Sequence, residues 1–260
     1  MTNRLALMDR LKPAVLRAGD AIMNVYHRLG ESAPEAKTDG SPVTEADLAA
    51  NIVLMEALEK HAPGIAVVSE ESEETHARPP QETFLLVDPL DGTREFIKAD
   101  GKGAFTVNIG LIEGGLPVAG VVYAPALEQY FVGSVGEGAI LNGRAINTRP
   151  LRATGPVAVA SLSHRDPETD AWLSEHRIRK TRAIGSSLKF GLLATGEADL
   201  YPRFGPTMEW DTAAGDAILR AAGGVVTQPD GQPFTYGKPG YRNGPFIASG
   251  RPRTVYPGTT

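Results

Sequence analysis

The chain has 260 residues, with 26 Lys+Arg against 31 Asp+Glu, a net charge of -5, 42% hydrophobic and 22% charged residues. This balance belongs to a globular protein that buries its core as one large domain or two small ones, and it lacks the clustered positive charge of a nucleic-acid binder. The absence of cysteine excludes a disulfide scaffold, a thiol nucleophile, a Cys-ligated zinc and every cysteine-based phosphatase.

The opening MTNRLALMDRLKPAV has no apolar run fit for a signal peptide, and no later segment approaches a membrane span. The expected location is the cytoplasm without stable membrane insertion, with attachment to the inner-membrane surface and homodimer formation left open. Leu5, Met8, Leu11, Val15, Ala18, Ile22 and Val25 keep helical spacing and predict a helix from about Arg4 to Leu29. A Gly/Ser/Pro-rich loop follows, then a helix from Thr44 to about Lys60, stopped by His61-Ala62-Pro63-Gly64.

Short Val/Ile/Phe-rich runs then predict strands at Ile65–Ser69, Phe84–Val87, Thr106–Ile112, Val118–Tyr123 and Tyr130–Val132, with a hairpin turn at Glu113-Gly114-Gly115. The pattern weakens over Asn147–Pro156. Beyond it, strands at Val157–Ser161, Thr181–Ile184 and Val225–Gln228 alternate with helices at Ser187–Thr195 and Thr212–Ala222. The expectation is an α+β half over 1–150 joined to an α/β half over 151–260.

The strongest local signal is Phe84-Leu85-Leu86-Val87-Asp88-Pro89-Leu90-Asp91-Gly92-Thr93. A buried strand would deliver Asp88 just past its end, and Pro89 would stiffen the link to Asp91. Two carboxylates held there are hard oxygen ligands suited to Mg²⁺. Gly92 would let the backbone approach a phosphate, and a helix starting after it would offer N–H groups to an anion. A D-x-D pair would point to a haloacid-dehalogenase phospho-aspartate, but the spacing here is D-x-x-D.

Glu70, first after the run Ile65–Ser69, would lie beside Asp88 if the two strands are neighbours; alone it reads equally as ligand or loop charge. Asp211, after Trp210, reads alone as a helix N-cap worth about 1 kcal/mol before it reads as a ligand. Asp216, five residues on, turns off that face. Thr44 and Asp47 read as a capping box, and Thr93 as a water-orienting group or a cap.

In this order, Glu70-Glu71, DPLDGT at Asp88–Thr93 and Trp210-Asp211 resemble the inositol monophosphatase-like family of Mg²⁺-dependent, lithium-sensitive phosphatases. The continuation Arg94-Glu95-Phe96, together with Phe105–Pro125, SLSHRD, GSSLKF and LYPRFGPTMEWDTAAGDAIL, is more similar to its CysQ-type 3'(2'),5'-bisphosphate nucleotidase branch. The resemblance implies a layered αβαβα sandwich with its site between the halves. It implies two or three Mg²⁺ per site: Glu70, Asp88 and the Leu90 carbonyl hold one, and Asp88, Asp91 and Asp211 a second. Asp47, Thr93 and Glu70 would serve the attacking water. The substrate, a nucleotide bisphosphate, would meet Glu70, Leu90, Asp91, Gly92, Thr93, His164, Ser186, Lys189, Arg203 and Asp211. Read without the resemblance, Lys189 is a solvated helix residue, Arg203 a surface charge and His164 a loop residue.

The implied activity removes the 3'-phosphate of adenosine 3',5'-bisphosphate, and of its sulfonated analogue, beside sulfate assimilation. An inositol or other sugar monophosphatase is the alternative within the family, and a non-catalytic nucleotide-binding regulator the alternative outside it. Glu209, preceding Trp210, is a departure that would bias the choice of leaving group.

Overall fold

The structure, a computed structural model, describes residues 3–29, 45–98, 103–150, 155–161 and 166–250. Two helices come first, α1 (Arg4–Leu29) and α2 (Glu45–His61). Next come β1 (Ala66–Ser69), the short α3 (Glu73–His76), β2 (Thr83–Asp91), α4 (Thr93–Lys98), β3 (Thr106–Glu113), β4 (Leu116–Ala124), β5 (Gln129–Ser134), β6 (Gly138–Leu141) and β7 (Arg144–Ile146). These seven strands form one sheet in chain order; β1 is parallel to β2, and every later neighbour is antiparallel.

The second part runs β8 (Val157–Ser161), α5 (Pro167–Glu175), β9 (Lys180–Ile184), α6 (Leu188–Ala194), β10 (Leu200–Arg203), β11 (Thr207–Met208), α7 (Ala213–Ala221), β12 (Val225–Thr227), β13 (Arg242–Asn243) and β14 (Phe246–Ser249). Its main sheet has the order β12-β14-β10-β8-β9. Helices α1 and α2 cover one face of the seven-stranded sheet, α6 and α7 lie between the two sheets, and α5 packs on β10. This is the layered αβαβα sandwich. The buried faces of α1 and α2 meet Leu85, Val87, Ile109 and Val121 in one core cluster, and Phe190, Tyr201, Trp210 and Phe246 anchor a second between the sheets.

A row of glycines sets the distance between α7 and the first sheet. Gly110, Gly120 and Gly133 are aligned across β3, β4 and β5. A Cβ on Gly110 would stand 2.7 Å from Ala213 Cβ, and one on Gly120 2.7 Å from the Ala214 carbonyl oxygen. Missing side chains on the sheet and alanines on the helix therefore let the two backbones nearly touch, at separations that real Cβ atoms do not reach. The N-terminal end of α7 is thereby pressed toward β3 and β4, carrying Asp211 with it.

Several expectations need correction. The strand bearing Asp88 does not stop at Val87: β2 continues through Asp91, with an irregularity in its pairing to β3 between Asp88 and Asp91. Pro89 removes one ladder donor there, which is how a proline fits inside this strand. Strands β6, β7, β10, β11, β13 and β14 and helices α3 and α5 had no predicted counterpart; these strands are two to four residues long, too short to show a period of two. The predicted loop of residues 30–42, and Thr44 of the proposed capping box, lie outside the described residues.

Candidate active site

Glu70 follows the last residue of β1, and its N–H donates to the Val87 carbonyl at 3.1 Å. Because β1 and β2 are parallel, with Ser69 beside Val87, both chains reach the same edge together, and Glu70 stands next to Asp88. Asp211 comes from the other side of the cleft. Its Oδ2 accepts the Met208 N–H at 2.9 Å, while the N-cap of α7 is Thr212. The N-cap reading of Asp211 is therefore wrong by one residue, and its second oxygen is not spent on a helix end.

Single carboxylate oxygens of Glu70, Asp88 and Asp211 lie within 4.8 Å of one another. Asp88 is 1% exposed. Its Oδ1 accepts the Leu90 N–H at 3.0 Å, and its buried Oδ2 has no partner. A buried carboxylate oxygen without a donor is costly, and three acids so close cannot all ionise unaided. Loss of hydration, and then the neighbouring acids, push Glu70 up to about 8 and hold Asp88 well above the carboxylate range. Burial and Asp91 push Asp211 up to about 7. Glu70 as a residue is exposed at the cleft mouth, while its carboxylate lies in the acidic cluster. Hard oxygen donors, an orphaned buried oxygen and mutual repulsion together fit a divalent cation.

Asp91 ends β2 on the same edge. Burial raises its pKa, while Lys189 and a hydrogen bond from the Ser187 hydroxyl, 2.9 Å from Oδ2, pull it back. Gly92 has φ +94°, and a Cβ there would meet the Ala104 carbonyl at 2.9 Å and Ser186 Cβ at 3.3 Å. Both its dihedral and the space require glycine. The helix expected after it is α4, only six residues long, so the anion-binding role foreseen for a helix start has no substantial dipole behind it. Thr93 opens α4 and lines the cleft with Leu90. Asp47, on the first turn of α2, is buried and contributes to raising both Glu70 and Asp88.

These groups line a cleft of about 330 Å³ whose opposite wall is Ser186, Lys189, Tyr201 and Arg203. Ser186 has φ 49°. Lys189 is 4% exposed, and its Nζ donates to the Ser186 carbonyl at 2.6 Å and stands 5.3 Å from the Tyr201 ring centre. Burial lowers its pKa to about 8 against the opposing pull of Asp91. Arg203 is 9% exposed and donates from Nε and Nη2 to the carbonyls of Gly205 and Pro206. Neither cation is the solvated surface charge that composition suggests. His164 lies outside the described residues.

Glu209 does not face the cleft. It is fully buried, its carboxylate accepts the N–H groups of Gly237 and Lys238, and it pairs with Lys238 Nζ at 2.6 Å. The suggested influence on the leaving group is overturned. Asp216 is likewise buried away from the cluster, held by Arg220 and Tyr236. The residues that sequence reasoning missed are Ser187, Tyr201 and Glu95. Glu95 is buried and lines the cleft; the signal for it was the Arg-Glu-Phe continuation of DGT.

Residues 7–253 match the inositol monophosphatase family, and the chain belongs to that family. It is similar to the 3'(2'),5'-bisphosphate nucleotidase CysQ of Shigella flexneri, 45% identical over 88% of this chain and 94% of that protein. The CysQ of Escherichia coli K12 is 44% identical over the same shares. Among solved structures, CysQ from Bacteroides thetaiotaomicron matches with a TM-score of 0.81 at 34% identity, covering 97% of this chain and 99% of that one. An inositol monophosphatase from Anabaena follows at 0.76 and 29%, covering 96% and 92%. No helix among the described residues is long and apolar enough to cross a membrane.

Proposed function

We propose that the protein is a Mg²⁺-dependent 3'(2'),5'-bisphosphate nucleotidase, which hydrolyses the 3'-phosphate of adenosine 3',5'-bisphosphate to give AMP and phosphate. It accepts the sulfonated analogue as well, in the cytoplasm. The observation that carries this reading is the pairing of two buried cations, Lys189 and Arg203, with four carboxylates across one cleft. An inositol monophosphate has a single phosphate to bind, whereas a nucleotide bisphosphate has a second that is retained and needs positive charge. The CysQ names of the most similar relatives support the same substrate class.

Glu70, Asp88 and the Leu90 carbonyl would hold one Mg²⁺, and Asp88, Asp91 and Asp211 another. Bound there, Mg²⁺ would supply acidification of the attacking water and neutralisation of phosphate charge. Thr93 presents its hydroxyl, and Asp47 its carboxylate, to the attacking water, which Glu70 helps to place. Gly92 lets the backbone close on the phosphate. Lys189, Arg203, Ser186 and His164 grip the retained phosphate and the sugar, so the scissile phosphorus stands in line between water and the departing 3'-oxygen. Residues 1–150 supply the acids of β1 and β2, and residues 151–260 supply Asp211 and the cationic wall.

Hydrolysis in ¹⁸O-labelled water tests the chemistry. The label enters inorganic phosphate and leaves AMP unlabelled, and Asp91→Asn abolishes turnover. Label in the AMP 3'-hydroxyl would exclude attack on phosphorus, and binding without turnover in the wild type would make the protein a non-catalytic nucleotide binder.

A further inference from the structure

Ser187 occupies the N-cap position of α6, where a serine hydroxyl ordinarily accepts an N–H from its own helix. Here it makes no such bond. Its Oγ instead lies 2.9 Å from Asp91 Oδ2 and 2.7 Å from the carbonyl oxygen of Asp211. The hydroxyl also accepts a bond from Asn108 Nδ2 at 3.1 Å. Asn108 is fully buried on β3, directly across from Asp88 on β2, and Ser187 is 2% exposed.

A hydroxyl has one proton and two lone pairs. Since Asn108 donates to the oxygen, the proton is directed at the two remaining neighbours, both of them acceptors. One of these, Asp91, ends a strand of the first sheet; the other, Asp211, leads into α7. A single buried atom thus touches three segments, and Asn108 fixes its orientation. The hydroxyl holds Asp91 Oδ2, and a backbone hydrogen bond from Ser187 reaches the same carboxylate.

We propose that Ser187, oriented by Asn108, is the positioning residue that fixes Asp91 relative to Asp211 and so sets the place of the cation these two acids share. This rests on the reading that the acidic cluster holds Mg²⁺. Ser187 lines the cleft, and the role assigned to it runs through Asp91.

The test is calorimetric titration of Mg²⁺ into the wild type and into Ser187→Ala, Ser187→Thr and Ser187→Val, with thermal melts in the absence of Mg²⁺. Thr and Val match in size and differ in the hydroxyl, so that pair stays informative if the Ala variant folds poorly. Groups that orient metal ligands are worth about 10- to 100-fold in affinity. The expectation is that Ala and Val bind Mg²⁺ about tenfold more weakly than the wild type, while Thr stays within about threefold. Phosphate release by the Ala variant should then recover when Mg²⁺ is raised. Wild-type affinity in Ser187→Ala or Ser187→Val overturns the inference, as does equal weakening of Thr and Val accompanied by equal loss of melting temperature. A wild type that binds no Mg²⁺ removes the metal reading itself and the inference with it, an outcome separable from the others because it appears without any substitution.

Discussion

The His76 imidazole stacks on the Trp210 indole, ring centres 4.8 Å apart and planes 26° apart. Its Nε2 lies 2.7 Å from the Ser69 carbonyl oxygen. Ser69 and Trp210 are the residues immediately before Glu70 and Asp211. One side chain therefore clamps together the two backbone segments that carry acids from opposite sides of the cleft. An aromatic pair contributes about 0.5–1.5 kcal/mol and a hydrogen bond about 1 kcal/mol. His76→Ala is expected to lower stability by about 1–2 kcal/mol in urea titrations and to raise the Mg²⁺ concentration needed for half-maximal activity. His76→Phe keeps the stack and should restore part of both. An unchanged Mg²⁺ requirement in His76→Ala would show that the clamp does not reach the acids.

Asp88 illustrates the conflict between stability and function. Its partnerless buried oxygen and the surrounding acids make the metal-free fold worse than it need be. Asp88→Asn should abolish phosphate release while raising the melting temperature of the metal-free protein at pH 7–8. A melting temperature below that of the wild type would mean that Asp88 is a structural residue.

The same acids give a pH dependence. Folding lifts Glu70 from 4.5 to about 8 and Asp211 from 3.8 to about 7. Between those limits the native state keeps protons that the unfolded chain has released, so metal-free stability falls as pH rises from about 4 to 8. A cation that needs ionised ligands displaces those protons. The increase in melting temperature produced by Mg²⁺ should therefore grow between pH 5.5 and 8, and binding near pH 7 should release protons, visible as a buffer-dependent heat. An increment independent of pH would contradict the assignment of these acids as ligands.

The glycine row offers a mechanical test. Gly120→Val would drive a side chain into the Ala214 backbone, where even a Cβ stands 2.7 Å from the carbonyl oxygen. Overpacking of this kind costs about 1–3 kcal/mol. Because α7 must retreat from the sheet, activity should fall more than stability alone accounts for. Loss of stability with full activity at saturating Mg²⁺ would mean that the helix position does not set Asp211.

Much of this was legible in the sequence because β1 and β2 begin as apolar-rich runs with acids at or just past their ends, and Glu70, Asp88 and Asp91 follow from their order. Parallel pairing of β1 with β2 was the one structural fact needed to bring Glu70 to Asp88. Lys189 and Arg203 were harder. Single-sequence reasoning gives a charged residue to solvent, and only the cleft shows two buried cations on one wall. Ser187 was hidden in a Ser-Ser pair, where nothing in the sequence says which hydroxyl faces the acids. Glu209 shows the reverse failure, a charge placed beside a site residue in sequence but turned away from it by the bonds to Gly237 and Lys238.

The most direct test of the account compares phosphate release from adenosine 3',5'-bisphosphate and from inositol 1-phosphate at equal concentration with Mg²⁺, each with and without lithium. The account predicts a kcat/KM at least about a hundredfold higher for the nucleotide, some 2.7 kcal/mol of transition-state preference, inhibited by lithium and largely lost in Lys189→Met. Comparable or reversed values for the two substrates would contradict it, leaving a sugar-phosphate phosphatase built on the same acids.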